Sequence, residues 1–82
     1  MATLFVLNVE EFTPIVEAAA KNPEIEVSGP NVLGYYRLDS EKIQLNRKEL
    51  GFKHALWNGI LTGGFIGQMR VFDTDRLEIE NI

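Results

Sequence analysis

Residues 32–46, VLGYYRLDSEKIQLN, decide how this chain is read. Side chains alternate across a strand, so Val32, Gly34, Tyr36 and Leu38 share one face and Leu33, Tyr35 and Arg37 the other. Ile43 and Leu45 then alternate with Gln44 and Asn46. Asp39 to Lys42 separates the two runs and reads as a turn, so the stretch predicts a hairpin. Tyr35 and Tyr36 point to opposite faces, which leaves one of them away from any covering helix.

Upstream, Ser28-Gly29-Pro30-Asn31 is a turn, and Glu24 to Val27 alternates with Ile25 and Val27 on one face. Thr3 to Leu7 is rich in strand formers and reads as a buried first strand. Asn8 and Glu11 have capping-box spacing, and Phe12, Ile15, Val16 and Ala19 recur at helical spacing. Pro14 suits a first helical turn, so the regular helix starts near Thr13, and Asn22-Pro23 ends it.

Downstream, Asn46 and Glu49 again have capping-box spacing. They predict a helix over 47–61 with Leu50, His54, Trp57 and Leu61 along one stripe. Gly51 and Gly59 weaken it by up to about 1 kcal/mol each. Gly63-Gly64 closes it. Phe65 to Phe72 reads as a strand, Asp73-Thr74-Asp75 as a turn, and Arg76 to Glu80 as a last strand with Leu77 and Ile79 inward.

The resulting order, β-α-β-β-β-α-β-β, predicts an α+β sandwich with two helices on one face of an antiparallel sheet. A ferredoxin-like arrangement with added hairpin strands is the expected type. Its open face carries Tyr or Phe side chains and suits pairing with a second copy. Leu4-Phe5-Val6-Leu7-Asn8-Val9 resembles the first RNA-contacting strand of RNA-recognition-motif domains, and Ala55-Leu56-Trp57-Asn58-Gly59 resembles the end of their second helix. The second signature of that family would fall on Leu33-Gly34-Tyr35-Tyr36-Arg37-Leu38, which lacks the leading basic residue. The resemblance implies topology and nothing about RNA.

Charge points the same way. The 82 residues carry a net charge of −4, which disfavours nucleic acid as a partner, because binding it relies on Lys and Arg at phosphates. The bases Lys42, Arg47, Lys48 and Lys53 nevertheless crowd into twelve positions. The lack of cysteine excludes a disulfide scaffold and a thiol nucleophile, and one histidine excludes a multi-histidine metal site within the chain. No signal peptide or membrane span is read, so a cytoplasmic location is the default expectation.

Size bears on association. At 9.3 kDa the folded surface scales to roughly 5,000 Å² and the unfolded one to roughly 13,500 Å². Burying about 60% apolar area out of that difference contributes roughly 125 kcal/mol. Ordering the chain costs roughly 120 kcal/mol. The two nearly cancel, so a lone monomer is marginal and a homo-oligomer is expected.

Several residues are candidates for chemistry. His54, the lone histidine, is the one catalytic candidate, although no spacing identifies an acid that would orient it. Asp73-Thr74-Asp75 lacks the twelve-residue ligand pattern of a calcium loop. Gly63-Gly64-Phe65-Ile66-Gly67 precedes a strand where a phosphate loop would precede a helix. Tyr35 and Trp57 are candidate walls of a pocket or subunit contact. Arg47 and Lys48 occupy the first turn of the second helix, where the dipole disfavours cations, and so mark a candidate anion site. The expected function is a small non-catalytic binding or accessory module. It self-associates and binds a small anionic or aromatic ligand or a partner protein, with no cofactor and no metal. The alternative is a small cofactor-independent enzyme of the dimeric α+β barrel kind, acting on a small organic acid or aromatic substrate.

Overall fold

The computed structural model describes residues 1–81. The first strand, β1, runs Ala2–Leu7. Its inward side chains Ala2, Leu4 and Val6 are buried, and Thr3 is buried on the other side. The capping box expected at Asn8 does not form: a 3-10 turn over Glu10–Phe12 intervenes, and neither it nor the following helix has a side-chain cap. The helix α1, Thr13–Lys21, starts where Pro14 is tolerated and buries Ile15 and Ala19. Asn22 ends it, and the short strand β2, Glu26–Ser28, follows.

The expected hairpin over 32–46 is where sequence and structure part. Strand β3 (Tyr35–Ser40) pairs with β1 and β2, whereas β4 (Lys42–Asn46) pairs with the last strand, β7 (Arg76–Glu80). Only Glu41 separates β3 from β4, so the two are one strand that bends and changes sheets. A tight hairpin there would need positive φ at its central residues. Asp39-Ser40-Glu41-Lys42 contains no glycine, and no described non-glycine residue has positive φ. The single strand expected over 65–72 divides in the same way. Strand β5 (Phe65–Ile66) pairs with β1, and β6 (Gln68–Phe72) pairs with β7. The bend falls at Gly67, whose φ is 132°.

The class is therefore α+β, but the strands form two antiparallel sheets, in the orders β2-β3-β1-β5 and β4-β7-β6. They replace the one ferredoxin-like sheet expected. Each central strand, β1 or β7, lies between the two bent strands. The start of β1 meets the end of β7 at the bends: Ala2 lies opposite Ser40, Glu80 lies opposite both Lys42 and Gln68, and Asn81 N–H donates to the Glu41 carbonyl at 3.1 Å.

The second helix is also corrected. Asn46 caps as predicted, its Oδ1 accepting from the N–H groups of Lys48 and Glu49 at 2.9 and 3.1 Å. The helix then ends after one turn, as α2 (Arg47–Leu50), because Gly51 takes the left-handed conformation with φ 75°. That reversal turns Phe52 into the core, with its ring 6.2 Å from that of Phe12. The chain re-enters a helix as α3 (His54–Asn58), which ends at Gly59. One cluster of buried side chains unites Leu4, Ile15, Leu38, Ile43, Phe52, Trp57, Ile60, Leu77 and Ile79 across both sheets and the helices. The surface is 5083 Å², which matches the size scaling.

Two glycines test this architecture. A Cβ at Gly67 would lie 2.6 Å from the Glu80 carbonyl oxygen and 2.9 Å from Ile79 Cγ2. At Gly64, with φ 86°, a Cβ would meet nothing within 4 Å. Gly64→Ala should therefore cost only backbone strain, about 1 kcal/mol. Gly67→Ala should cost about 3 kcal/mol or more and lower Tm by at least about 12 °C in thermal circular dichroism. Trp57, 1% exposed, should cost about 3–5 kcal/mol as Trp57→Ala, enough to abolish the cooperative melt.

Candidate functional site

The two sheets turn different outer faces to solvent. On the second sheet, Lys42 Nζ is 3.6 Å from Glu80, Gln44 Nε2 donates to Glu78 at 2.7 Å, and Arg70 Nε donates to Glu80 at 2.9 Å. Charges on that face pair within it. The Arg70 hydrogen bond, outweighing the effect of burial, together with the charges of Arg70 and Lys42 holds the Glu80 carboxyl below its ordinary value.

The outer face of the first sheet mixes rings and aliphatic groups with polar ones, Glu26 and Ser28 of β2 among them. Alternation places Thr3 and Phe5 of β1 beside Tyr35, Arg37 and Asp39 of β3, with Phe5 opposite Arg37 and Thr3 opposite both Asp39 and Ile66. The Arg37 guanidinium lies 5.8 Å from the Phe5 ring centre. It is pinned there by Asp39, whose carboxylate accepts from Arg37 Nε at 2.8 Å and from the Thr3 hydroxyl at 2.6 Å. Burial pushes the Asp39 pKa up, but the hydrogen bonds from Arg37 and Thr3 and the Arg37 charge outweigh it and leave it lowered. Ile66 is 48% exposed. Tyr36, as expected, lies on the opposite face from Tyr35 and packs against the core.

This face continues into the loop before β3. The strand was expected to start at Val32, but Asn31 Oδ1 accepts from the N–H groups of Leu33 and Tyr35, both at 3.0 Å, and closes a turn. Gly34 N–H donates to the Asn31 carbonyl, and Asn8 N–H donates to the Gly34 carbonyl at 2.8 Å. Val32 is fully exposed and Leu33 is 77% exposed on this braced turn.

The residues singled out from sequence do not converge. Tyr35 lies on the outer face of the first sheet. Trp57 is in the core, its ring 6.0 Å from that of Phe72 and its Nε1 donating to the Asp73 carbonyl at 2.8 Å. Arg47 is 15% exposed and works as a clamp. Its Nε donates to the Thr74 carbonyl at 2.9 Å, its Nη1 to the Phe52 carbonyl at 2.8 Å and its Nη2 to Asp75 at 2.9 Å. Its ion-pair partner is Asp75. The anion site expected at the start of α2 has lost its donors: Arg47 N–H goes to the Asp75 carbonyl, and Asn46 takes the next two. Lys48 is exposed.

His54 is exposed at the start of α3, and no hydrogen bond among the described residues orients it. Asp73, as the turn reading required, spends its Oδ1 on the N–H groups of Asp75 and Arg76 at 2.9 and 2.8 Å. Those two bonds lower its pKa. Sequence reasoning placed Arg37 on the face of Tyr35 but missed Phe5, Asp39 and Ile66 as part of it. The signal for Phe5 was its alternation with Leu4 and Val6. No family model matches the chain, and no curated protein matches it.

Three carboxylates thus have folded pKa values below their ordinary ones. The unfolded chain then binds more protons near pH 4, and the stability these groups contribute is present above their unfolded values and lost as pH falls through the folded ones. Tm should hold from pH 7 to about 5 and fall below about pH 4. Asp39→Asn should flatten that fall while lowering Tm at neutral pH, as read by circular dichroism across the pH series.

Proposed function

We propose that this chain is a non-catalytic binding module that self-associates through the outer face of the first sheet and the turn that carries Val32 and Leu33. The contrast between the two sheet faces carries this reading. One face neutralises its charges with a ladder of pairs, while the other carries the half-buried rings of Phe5 and Tyr35 and the exposed Ile66 around the Arg37–Asp39 pair, next to the exposed Val32 and Leu33 of the turn. Large exposed apolar groups gathered in one place mark association surfaces.

A second copy of the chain is the partner this surface fits. In a two-fold interface each patch meets itself, so a patch with net charge repels its own copy. Arg37 and Asp39 cancel within the face, Phe5, Tyr35 and Ile66 carry no charge, and the remaining acid, Glu26, stands on the edge strand β2 opposite Asp39. The turn adds apolar knobs whose backbone is already fixed, so burying them orders little further chain. The marginal balance of an 82-residue monomer points the same way.

Sedimentation equilibrium tests the reading. The parent should weigh more than 9.3 kDa at tens of micromolar, and Leu33→Asp combined with Ile66→Lys should return it to 9.3 kDa with an unchanged circular dichroism spectrum. A parent that stays at 9.3 kDa across the range, or a variant that associates as well as the parent, would remove this reading.

A further inference from the structure

The cleft between α3 and the β6–β7 turn shares no residue with the face proposed for self-association. His54, Asn58, Phe72, Asp73 and Thr74 line it, and it encloses about 320 Å³. That volume falls at the lower end for small-ligand sites. Its walls are fixed from beneath. Trp57 belongs to α3 yet donates to the Asp73 carbonyl and packs on Phe72, so the helix and the turn are held together by one buried side chain. Arg47 holds the far side of the turn through Thr74 and Asp75. A ligand would enter a site that is already formed, which limits the ordering cost of binding.

The lining specifies a class of ligand. His54 and Asn58 stand four residues apart on successive turns of α3, and the side chains of both make no hydrogen bond with the chain among the described residues. Imidazole and amide each donate and accept, as a hydroxyl group does. Thr74 adds a third group of that kind, and Phe72, 40% exposed, adds an apolar ring. Asp73 and Arg76, whose Nε lies 3.9 Å from the Asp73 Oδ2, offset each other, so the cleft has no net charge from this pair with which to select an ion of either sign. We propose that this cleft binds an uncharged ring bearing adjacent hydroxyl groups, a monosaccharide unit, with the ring's C–H face on Phe72 and its hydroxyls on Asn58, His54 and Thr74. Small organic acids, the substrate class expected for a catalytic His54, would find no Lys or Arg among the lining residues.

The full chain, labelled with ¹⁵N, is titrated with the methyl glycosides of glucose, galactose and mannose, with sodium benzoate and inorganic phosphate as charged probes. The proposal expects saturable amide shifts at residues 54, 58 and 72–74 with at least one glycoside, at a low-millimolar Kd. Asn58→Ala and His54→Gln change exposed side chains, so their melting curves should match the parent's. Each should weaken binding by about fivefold, the worth of one hydrogen bond. Absence of saturation with all three glycosides up to about 100 mM overturns the proposal. So does equal binding by both variants, or tighter binding of benzoate or phosphate at these amides. The Leu33→Asp, Ile66→Lys variant should bind the glycoside as the parent does, so the cleft and the association surface stand or fall separately.

Discussion

Gly67 leaves no room for a side chain because the two ends of the chain press on it together. The Glu80 carbonyl and the Ala2 backbone both approach the position a Cβ would take, at 2.6 and 3.4 Å. At the other bend, Asn81 N–H reaches the Glu41 carbonyl. The first and last strands therefore converge between two strands that change sheets. Each sheet has one of them inside it, β1 in the first and β7 in the second. Both sheets, the shared core and the division of outer faces follow from these two bends. Neither bend could form if the segments on either side of it paired with each other as hairpins.

The polar side chains sort by what they hold. Arg47 and Trp57 come from the broken helical region, and both fasten it to the β6–β7 turn through backbone carbonyls. With only one turn in α2 and five residues in α3, helical hydrogen bonding alone could not stabilise this segment. Tertiary anchoring of Phe52, Trp57 and Ile60 supplies what the helix lacks. Two of the binding candidates in the sequence, Arg47 and the lone tryptophan, thus owe much of their character to architecture. Arg47 occupies an unfavourable place on the helix dipole because its guanidinium is needed 27 and 28 residues further along the chain.

Elements set by local chemistry were legible in the sequence: the strand at 3–7, the helix that accommodates Pro14, the Asn46 cap and the Asp73 turn. Strand partnership was not, because it depends on which distant residues a segment meets. Its traces were small. The absence of glycine from 39–42 argued against a tight hairpin, and Gly67 marked the division of the run over 65–72. Gly51 read as a weak point in a helix, yet it is the helix's end, since only the burial of Phe52 makes the left-handed conformation worthwhile. Val32 and Leu33 read as strand because they are apolar. The carboxamide of Asn31 captured the neighbouring backbone donors first, a contest that hydropathy does not register. Of the candidate association face, Tyr35 was legible. Arg37 and Asp39 follow it at alternate positions of β3, whereas Phe5 and Ile66 joined that face only through the register of β1 with β3 and β5.

Where the exposed apolar groups lie is itself informative. Scattered single residues on a surface need no explanation. Here Met1, Phe65 and Ile66 belong to the first sheet or the chain leading into it, and Val32 and Leu33 to the turn before β3. Phe72 alone lies elsewhere, at the rim of the cleft beside α3. The second sheet covers its outer face with Lys42, Gln44, Glu78, Arg70 and Glu80 instead. The first sheet's outer face holds fewer charges, Arg37 and Asp39 of β3 and Glu26 of β2. A standard interface takes about 800 Å² from each partner, roughly a sixth of the 5083 Å² available. The contact we propose would draw on the outer face of the first sheet and its braced turn, where Arg37 and Asp39 pair with each other and leave Glu26, on the edge strand, as the one uncompensated charge.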